Sequence, residues 1–312
     1  MRIAVTGASG FIGRNLVAHL TARGDEVVPI RRPFDATRLA AELRGAAAAV
    51  HLAGLVSAVR ENEFVEANVD STRIVAQAAR DAGVRLVHLS SLAAAGPAAA
   101  TTPRSEGDPP RPITAYGRSK LAGERTLHET PGLRWIALRP GVVYGPHDRA
   151  LLPLFRMAAR GFLPLVGRAG AAYTLIHVTD LMRAIVPAIE TDLAGEPIFI
   201  GHPSPAGPLA IVDAIRAAVA PHARTIRVPM VATRLAAAAG EIAQRVTGRP
   251  APINRSRYRE LAAEGFVCRV DRMRERLGVV AGIGLHEGIA RTADWYRGAG
   301  WLAEGSGPRA QG

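Results

Sequence analysis

The stretch that decides the fold is RIAVTGASGFIGRNLVAHL, residues 2–20. It opens with a short apolar, β-favouring run. The glycine-punctuated sequence TGASGFIG follows, and RNLVAHLTARG then repeats apolar positions at helical spacing up to a glycine stop. A second β-favouring run, EVVPIRR, begins at residue 26. This order predicts a strand–helix–strand unit of a parallel sheet.

The glycines of this stretch carry its first chemistry. Gly7, Gly10 and Gly13 lie between a predicted strand and a predicted helix. A turn without Cβ atoms lets the backbone approach a pyrophosphate, whose charge is met by unpaired N–H groups at the helix N-terminus. The spacing is GxxGxxG instead of the commoner GxGxxG, and a plain strand-to-helix turn is the alternative. We predict a dinucleotide-binding loop.

The alternation of strands and helices continues to Gly145 and then loosens. It predicts an α/β fold, a Rossmann-like doubly wound parallel sheet with a smaller C-terminal α/β substrate-binding region. We assign residues 1–145 to an NAD(P)-binding domain and residues 146–302 to the substrate-binding region, which contributes back to the core. Residues 303–312 are rich in Gly, Ser and polar residues and are predicted to form a flexible tail.

Composition limits the classes of function. The formal net charge is +12, but the arginines are scattered and no basic block is interleaved with aromatic residues, so we predict no nucleic-acid partner. No apolar run is long enough to span a bilayer and the first residues predict a strand, not a signal peptide; we expect a cytoplasmic protein without a membrane partner. Cys268 is the single cysteine, and His51, His88 and His177 lack ligand spacing, so no metal site is predicted.

A second candidate site lies in ITAYGRSKLAGE, residues 113–124. Lys120 is the one lysine among 39 basic residues. It follows Tyr116 by four positions, so both side chains lie on one face of a predicted helix. An ammonium beside a phenol favours the ionised phenol and lowers its pKa, as an acid/base group near neutral pH requires. The alternative is that Tyr116 and Lys120 are two exposed side chains on the surface of a helix, without a catalytic role.

The residues after the second strand predict which dinucleotide binds. An acid there would hydrogen-bond the ribose 2′-OH of NAD, whereas an arginine would accept the 2′-phosphate of NADP. Arg31 and Arg32 hold these positions, and no acid occurs until Asp35. We predict NADP, with NAD as the alternative, because an arginine-rich chain also supplies solvated arginines by composition.

These motifs resemble those of a known family. TGASGFIG, HLAG, NVDST, HLSSLAAAG, YGRSK, RPGVVYGP and IHVTDL are similar, in order and spacing, to motifs of the extended short-chain dehydrogenase/reductase family, also called the NAD-dependent epimerase/dehydratase family. The resemblance covers residues 2 to about 190 strongly and the rest weakly. It is specific for fold and cofactor class, much less for substrate, and it implies a homodimer.

The resemblance implies roles for particular residues. Tyr116 matches the general acid/base, Lys120 its ribose-holding partner, and Ser91, in preference to Ser90, the hydroxyl that orients the substrate oxygen. Leu92 and Tyr173 join Ser91 as substrate-binding residues. The implied cofactor-binding residues are Gly7, Ser9, Gly10, Phe11, Ile12, Gly13, Arg31, Arg32, Asp35, Leu52, Ala53, Gly54, Asn68, Leu89, Tyr116, Lys120, Pro140, Val142 and Val143.

The chain departs from the family pattern at two places. The family usually has a helix and a third strand between the second strand and HLAG, whereas this chain runs from Arg32 to Asp35 almost at once, which predicts a trimmed adenine pocket. Before LIHVTDL, nucleotide-sugar members carry an arginine for the substrate diphosphate, and this chain has Tyr173.

Three classes of function are compatible with these motifs. The first is net oxidoreduction between NADP and a carbonyl or secondary alcohol of a small, apolar substrate, with Tyr116 as acid/base. The second is a nucleotide-sugar epimerase or dehydratase, in which hydride moves transiently to bound NAD. A non-catalytic, cofactor-sensing relative is the third. Tyr173 and the two arginines favour the first.

Overall fold

A computed structural model describes residues 1–303 of the chain, and a parallel sheet of six strands forms its centre. In chain order the strands are β1 Arg2–Thr6, β2 Glu26–Ile30, β3 Ala48–His51, β4 Arg85–Leu89, β5 Trp135–Pro140, β6 Val142–Tyr144, β7 Phe162–Leu165, β8 Ala172–Tyr173, β9 Leu175–His177, β10 Glu196–Ile200, β11 Arg224–Arg227 and β12 Gly265–Phe266. The central sheet has the order β10-β5-β4-β3-β1-β2 with parallel neighbours. The predicted fold class is confirmed.

Helices cover both faces of this sheet. They are α1 Phe11–Ala22, α2 Ala36–Leu43, α3 Glu61–Val65, α4 Ser71–Asp81, α5 Ala115–His128, α6 Leu152–Ala159, α7 Val178–Glu190, α8 Pro208–Val219, α9 Met230–Thr247, α10 Arg255–Ala262, α11 Asp271–Leu277 and α12 Leu285–Gly298. One buried cluster joins the sheet to α1, α7 and α11, and a second joins its other face to α2, α4 and α5. Strands β3, β4 and β5 are buried along their whole length, as expected for strands covered on both faces.

The connection after β2 has the helix that the sequence analysis expected to be missing, so that expectation is wrong for the helix, and only the additional strand is absent from this part of the described chain. Between β2 and β3 the chain forms a single helix, α2, whose N-terminus is capped by Asp35 through a 2.8 Å bond from the Arg38 N–H. Because this part of the described chain adds no further strand, β2 forms the edge of the central sheet.

The helical segment between β3 and β4 is interrupted. Helix α3 is followed by one π-helical turn, Glu66–Asp70, and then by α4. Single π turns inside helices are frequent at functional sites. The turn contains Asn68, which was predicted to bind the cofactor.

The part of the chain after Gly145 contributes to both regions of the molecule. Strand β10 pairs with β5 and completes the central sheet. Helices α6, α8 and α12 pack around a separate cluster that includes Phe155 and Tyr296. The short pair β8–β12 joins Ala172–Tyr173 to Gly265–Phe266. The predicted flexible tail lies outside the described residues from position 304 onward.

Within residues 1–303, no helix combines the length and apolar character needed to cross a bilayer.

Candidate active site

The turn between β1 and α1 forms a backbone cradle at the carboxyl edge of the sheet. Gly7 has φ +70°, and a Cβ built on it would lie 2.7 Å from the Ala53 nitrogen. A Cβ on Gly13 would collide with the carbonyl oxygen of Gly7. Gly10 precedes the first turn of α1 and provides no side-chain cap, so N–H groups of that turn are left for a ligand. These features fit a dinucleotide pyrophosphate. Ser9, Phe11 and Ile12 lie in the same turn.

Lys120 lies beneath this edge, in the interior. Its side chain is 6% exposed, and its ammonium donates a 2.6 Å hydrogen bond to the carbonyl of Leu89, the last residue of β4. Burial lowers the pKa of Lys120 to about 8, and the negative charge of Glu124 opposes that effect. The Lys120 nitrogen would lie 3.9 Å from a Cβ on Gly54. The lysine therefore faces the loop that contains the HLAG sequence, residues 51–54.

Asn68 braces the loop that follows β3. Its amide donates 2.9 Å bonds to the Leu55 carbonyl and to the Ser119 hydroxyl, and its Oδ1 accepts a 2.8 Å bond from the Leu55 N–H. The π turn therefore ties the HLAG loop to α5. Both ends of the Asn68 amide are engaged with protein, so its contribution to a cofactor site is to position the loop.

Tyr116 and Ser91 meet at one wall of a cavity. Burial raises the pKa of Tyr116, the nearby Ser91 hydroxyl opposes this effect and the Glu260 charge adds to it, so the pKa is raised overall. The sequence led us to expect a lowered pKa from the Lys120 ammonium. The difference has a physical cause: the ammonium donates to the Leu89 carbonyl, and the phenol is desolvated.

Ser90, the alternative to Ser91, has a different partner. Its hydroxyl hydrogen-bonds the Glu124 carboxylate, which also receives 2.9 and 2.6 Å bonds from the buried Arg139 guanidinium. The β4 strand thus sends Ser90 into the protein and Ser91 to the cavity. This arrangement favours Ser91 as the substrate-orienting hydroxyl.

The cavity beside Tyr116 has a volume of about 200 Å³. Ser91 and Tyr116 supply polar groups on one side. Its apolar wall comes from Leu92, Val142, Leu261 and Phe266, and it is also lined by Ala93, Pro140, Gly141, Tyr173, Arg257 and Glu260. The Tyr173 hydroxyl is buried and has no hydrogen-bond partner within the described chain. A buried hydroxyl without a partner suits a ligand group.

Helix α10 contributes residues that the sequence analysis did not identify. Arg257 and Glu260 pair at 3.0 Å, and burial raises the pKa of Glu260 despite the nearby guanidinium. Leu261 follows on the same helix, and Phe266 comes from β12. The register of β12 on β8 fixes this segment against the cavity. Such docking is a long-range property, which local periodicity in residues 254–266 cannot reveal.

The residues expected to choose the dinucleotide lie at the end of β2. Arg31 is exposed, and the Arg32 guanidinium donates a 3.0 Å bond to the Ala67 carbonyl and lies 5.6 Å from the Phe34 ring centre. Asp35 is exposed, and one of its carboxylate oxygens caps α2. The structure brings Arg31, Arg32 and Asp35 to the same edge as the glycine cradle.

The class of the protein follows from a comparison with family models. The model of the NAD-dependent epimerase/dehydratase family matches residues 3–201, and the chain belongs to that family. It is therefore an NAD(P)-dependent enzyme of the extended short-chain dehydrogenase/reductase type, as the sequence motifs predicted.

Individual relatives extend over nearly the whole chain. A ceramide reductase of Caulobacter vibrioides is 31% identical, and the match covers 96% of this chain and 96% of that protein. A 4-hydroxy-2-methyl-3-oxo-4-farnesyl-3,4-dihydroquinoline-1-oxide ketoreductase of Stigmatella aurantiaca is 29% identical over 99% of both chains. Among solved structures, MoeE5 in complex with UDP-glucuronic acid and NAD is 27% identical, with a TM-score of 0.75 over 96% of this chain and 100% of that one.

Proposed function

We propose that this enzyme transfers hydride between NADP and a carbonyl or secondary alcohol of a small, largely apolar substrate, with net change of redox state. The observation that carries the proposal is Tyr173. It stands where nucleotide-sugar members hold a diphosphate-binding arginine; it lines a cavity with apolar walls, and its buried hydroxyl has no partner among residues 1–303. An apolar wall with a few placed hydroxyls is suited to an aryl or alkyl ketone.

Each polar group at the cavity has a defined task in this proposal. In the reducing direction, NADP in its reduced form supplies the hydride. The Tyr116 phenol donates the proton to the carbonyl oxygen, and Ser91 donates a hydrogen bond that holds this oxygen near the phenol. Lys120 holds the dinucleotide ribose with its ammonium. Leu92, Val142 and Phe266 exclude water from the reacting carbon.

The NADP assignment rests on the end of β2. Arg31 is exposed beside the glycine cradle, and no carboxylate occupies the strand end. A planar guanidinium binds a 2′-phosphate in a bidentate manner, whereas NAD would leave it without a partner. The remaining cofactor contacts assigned in the sequence analysis belong to the same proposal.

The two reductases favour an apolar substrate, whereas MoeE5, also matched over its full length, is a complex with UDP-glucuronic acid. The names of the reductases specify a ceramide and a farnesylated quinoline oxide. A second, open depression of about 580 Å³ lies beside α10; it is lined by Pro97, Ile113 and Tyr258 and by the charged Arg168, Arg259 and Glu264. We infer that the reacting carbonyl lies beside Tyr116 and that the body of the substrate extends towards this depression.

A nucleotide-sugar epimerase or dehydratase is the second candidate. Arg257 lines the cavity and carries the kind of charge that a diphosphate requires. Its partner Glu260 offsets that charge at 3.0 Å, which favours the reductase.

A ligand panel separates the two candidates. Thermal shifts would be measured with UDP- and GDP-sugars, steroid-like ketones, aryl ketones and long-chain ketones, each with NADP present. We expect stabilisation by apolar ketones and NADPH consumption in proportion to product. Stabilisation by nucleotide sugars alone, or NAD retained through purification, would establish the second candidate instead.

The remaining assignments are also inferences. We infer a two-part organisation with a division near residue 145, a homodimer and a cytoplasmic location, on the strength of the family resemblance. Light scattering on the purified protein tests the dimer.

A further inference from the structure

Helix α9 presents an apolar face to solvent. Val231, Leu235, Ile242 and Val246 are 71%, 67%, 63% and 82% exposed. At about 100° per residue these four positions lie on one side of the helix, and the residues between them on that side are alanines. The uncharged face spans an arc of roughly 160°. Isolated exposed apolar residues are normal, but a continuous face marks an interaction site.

The opposite side of α9 already has its partner. Thr233, Ala237 and Gln244 are its buried residues, and the Asn254 amide at the start of α10 donates a 3.4 Å bond to the Gln244 Oε1. Gly240 lies directly against the Ile253 carbonyl. Packing against the body of the protein thus uses the inner face and leaves the outer face for something else.

Arginines border one flank and both ends of the outer face. Residues 221–253 contain five arginines and a single acid, Glu241, which pairs with Arg245 at 3.5 Å. Arg234 and Arg245 lie along one flank of the apolar face. Arg224 and Arg227 flank Ile226, which is 52% exposed, just before the helix, and Arg249 follows its end. Apolar side chains bordered by arginines are typical of helices that lie in the interface of an anionic bilayer.

We propose that the outer face of α9 docks this enzyme on an anionic lipid bilayer, with the apolar side chains among the acyl chains and the arginines at the headgroups. Charge complementarity favours an anionic bilayer over a second copy of this chain as the partner of α9. Pairing two copies through this face would bring arginines close to arginines. The helix would lie on the membrane, which agrees with the three charged residues among its 18, more than a membrane-spanning helix carries.

The position of α9 would bring the cavity close to the bilayer surface. Helix α10 packs between α9 and the cavity and contributes Arg257, Glu260 and Leu261 to the cavity wall. One helix therefore separates the bilayer from the site. The proposal itself needs no knowledge of the substrate, because binding to lipid is measured without turnover.

The test is flotation of the full chain with vesicles. One set contains phosphatidylcholine alone and the other equal amounts of phosphatidylcholine and phosphatidylglycerol. We expect the wild type to float with the anionic vesicles and to dissociate as salt is raised. Leu235→Ser combined with Ile242→Ser should weaken binding on the order of tenfold or more, because each removes exposed apolar groups without touching the core. Arg234→Glu combined with Arg245→Glu should weaken it on the order of fivefold per arginine.

Matched controls separate this face from general surface effects. Leu209→Ser combined with Val280→Ser changes two residues that are 53% and 51% exposed elsewhere, and Arg38→Glu combined with Arg291→Glu changes two exposed helix arginines. Both controls should float as the wild type does. A wild type that stays unbound in both vesicle sets overturns the proposal. So does a Leu235→Ser, Ile242→Ser protein that floats normally or changes only its oligomeric mass by light scattering.

Discussion

At the residue scale, the structure explains why one lysine stands among so many arginines. The buried Lys120 ammonium donates to the Leu89 carbonyl beside Gly54, and a planar guanidinium has neither its compact shape nor its donor geometry. Residue type and spacing alone pointed to Tyr116 and Lys120, and the family resemblance added Ser91 to the proposed site. The sequence could not predict the raised pKa of Tyr116 or the bracing role of Asn68, because both depend on which groups the fold brings near.

The first prediction concerns Lys120→Arg. Burial sets the pKa of Lys120 to about 8, so its ammonium is present below that pH and lost above it. Affinity of the wild type for the dinucleotide should therefore fall as pH rises through about 8. The arginine variant stays charged, and we expect it to bind on the order of tenfold more weakly without that step.

The measurement is a dinucleotide titration at several pH values on either side of 8. Arg118→Lys, which adds an amine to an exposed position of α5, is the control and should behave as the wild type does. Wild-type affinity and activity in Lys120→Arg would show that the position needs only a positive charge.

At the element scale, the repeating strand–helix pattern of the first half was predictable because each element has a strong period of its own. The π turn at Glu66–Asp70 was not predictable, because its sequence has the same helical character as the residues on either side. The alanine run of residues 236–239 carries no signal of its own in the sequence, although three of its members lie on the exposed face of α9. A search for membrane-spanning runs misses such a face, because its apolar residues are spaced along one side of a helix.

The second prediction belongs to the connection between β2 and α2. Changing Arg31→Asp together with Arg32→Ala removes the guanidinium groups and places a carboxylate at the strand end. We expect NADPH binding to weaken on the order of tenfold or more while NADH binding is retained or improves. Titration of both cofactors against wild type and variant gives the ratio.

Arg38→Ala is the matched control, because Arg38 is an exposed arginine of α2 that pairs with Glu42 at 2.7 Å. Its cofactor preference should equal that of the wild type. If the wild type prefers NADH, or if the double variant keeps the wild-type ratio, the role given to the β2 arginines is wrong.

At the scale of the whole molecule, stability should depend on two histidines in the middle of the sheet. His51 and His88 stack at 5.4 Å on β3 and β4. His51 is held by the Thr6 and Thr72 hydroxyls at 2.7 and 3.1 Å, whereas both ring nitrogens of His88 lack a partner in the described chain. Burial lowers the pKa of His51 to about 3 and that of His88 well below its usual value.

The third prediction is acid sensitivity with a defined origin. In the unfolded chain the two imidazoles titrate near pH 6.5, and in the folded protein they resist protonation. The His51 contribution to stability is therefore complete above pH 6.5 and is lost as pH falls from 6.5 towards 3, at most by about 1.4 kcal/mol per pH unit, and the His88 contribution is lost in the same direction. His88→Leu should remove one of the two contributions and cost little at neutral pH.

Urea unfolding at a series of pH values measures this dependence. The exposed His222→Leu serves as the control and should keep the wild-type slope. If the free energy of unfolding of His88→Leu depends on pH as steeply as that of the wild type, the acid sensitivity does not come from His88.

The central claim is net hydride transfer with Tyr116 as the acid/base, and isotope transfer tests it most directly. The enzyme would be given NADPH deuterated at the transferable position of C4, together with an apolar ketone identified by the ligand panel, and the product would be examined by mass spectrometry. We predict one deuterium on the carbinol carbon of the released alcohol for each NADPH oxidised. Tyr116→Phe should bind NADPH normally but form no product. Product that forms without oxidation of the cofactor, or turnover that survives in Tyr116→Phe, would contradict the account.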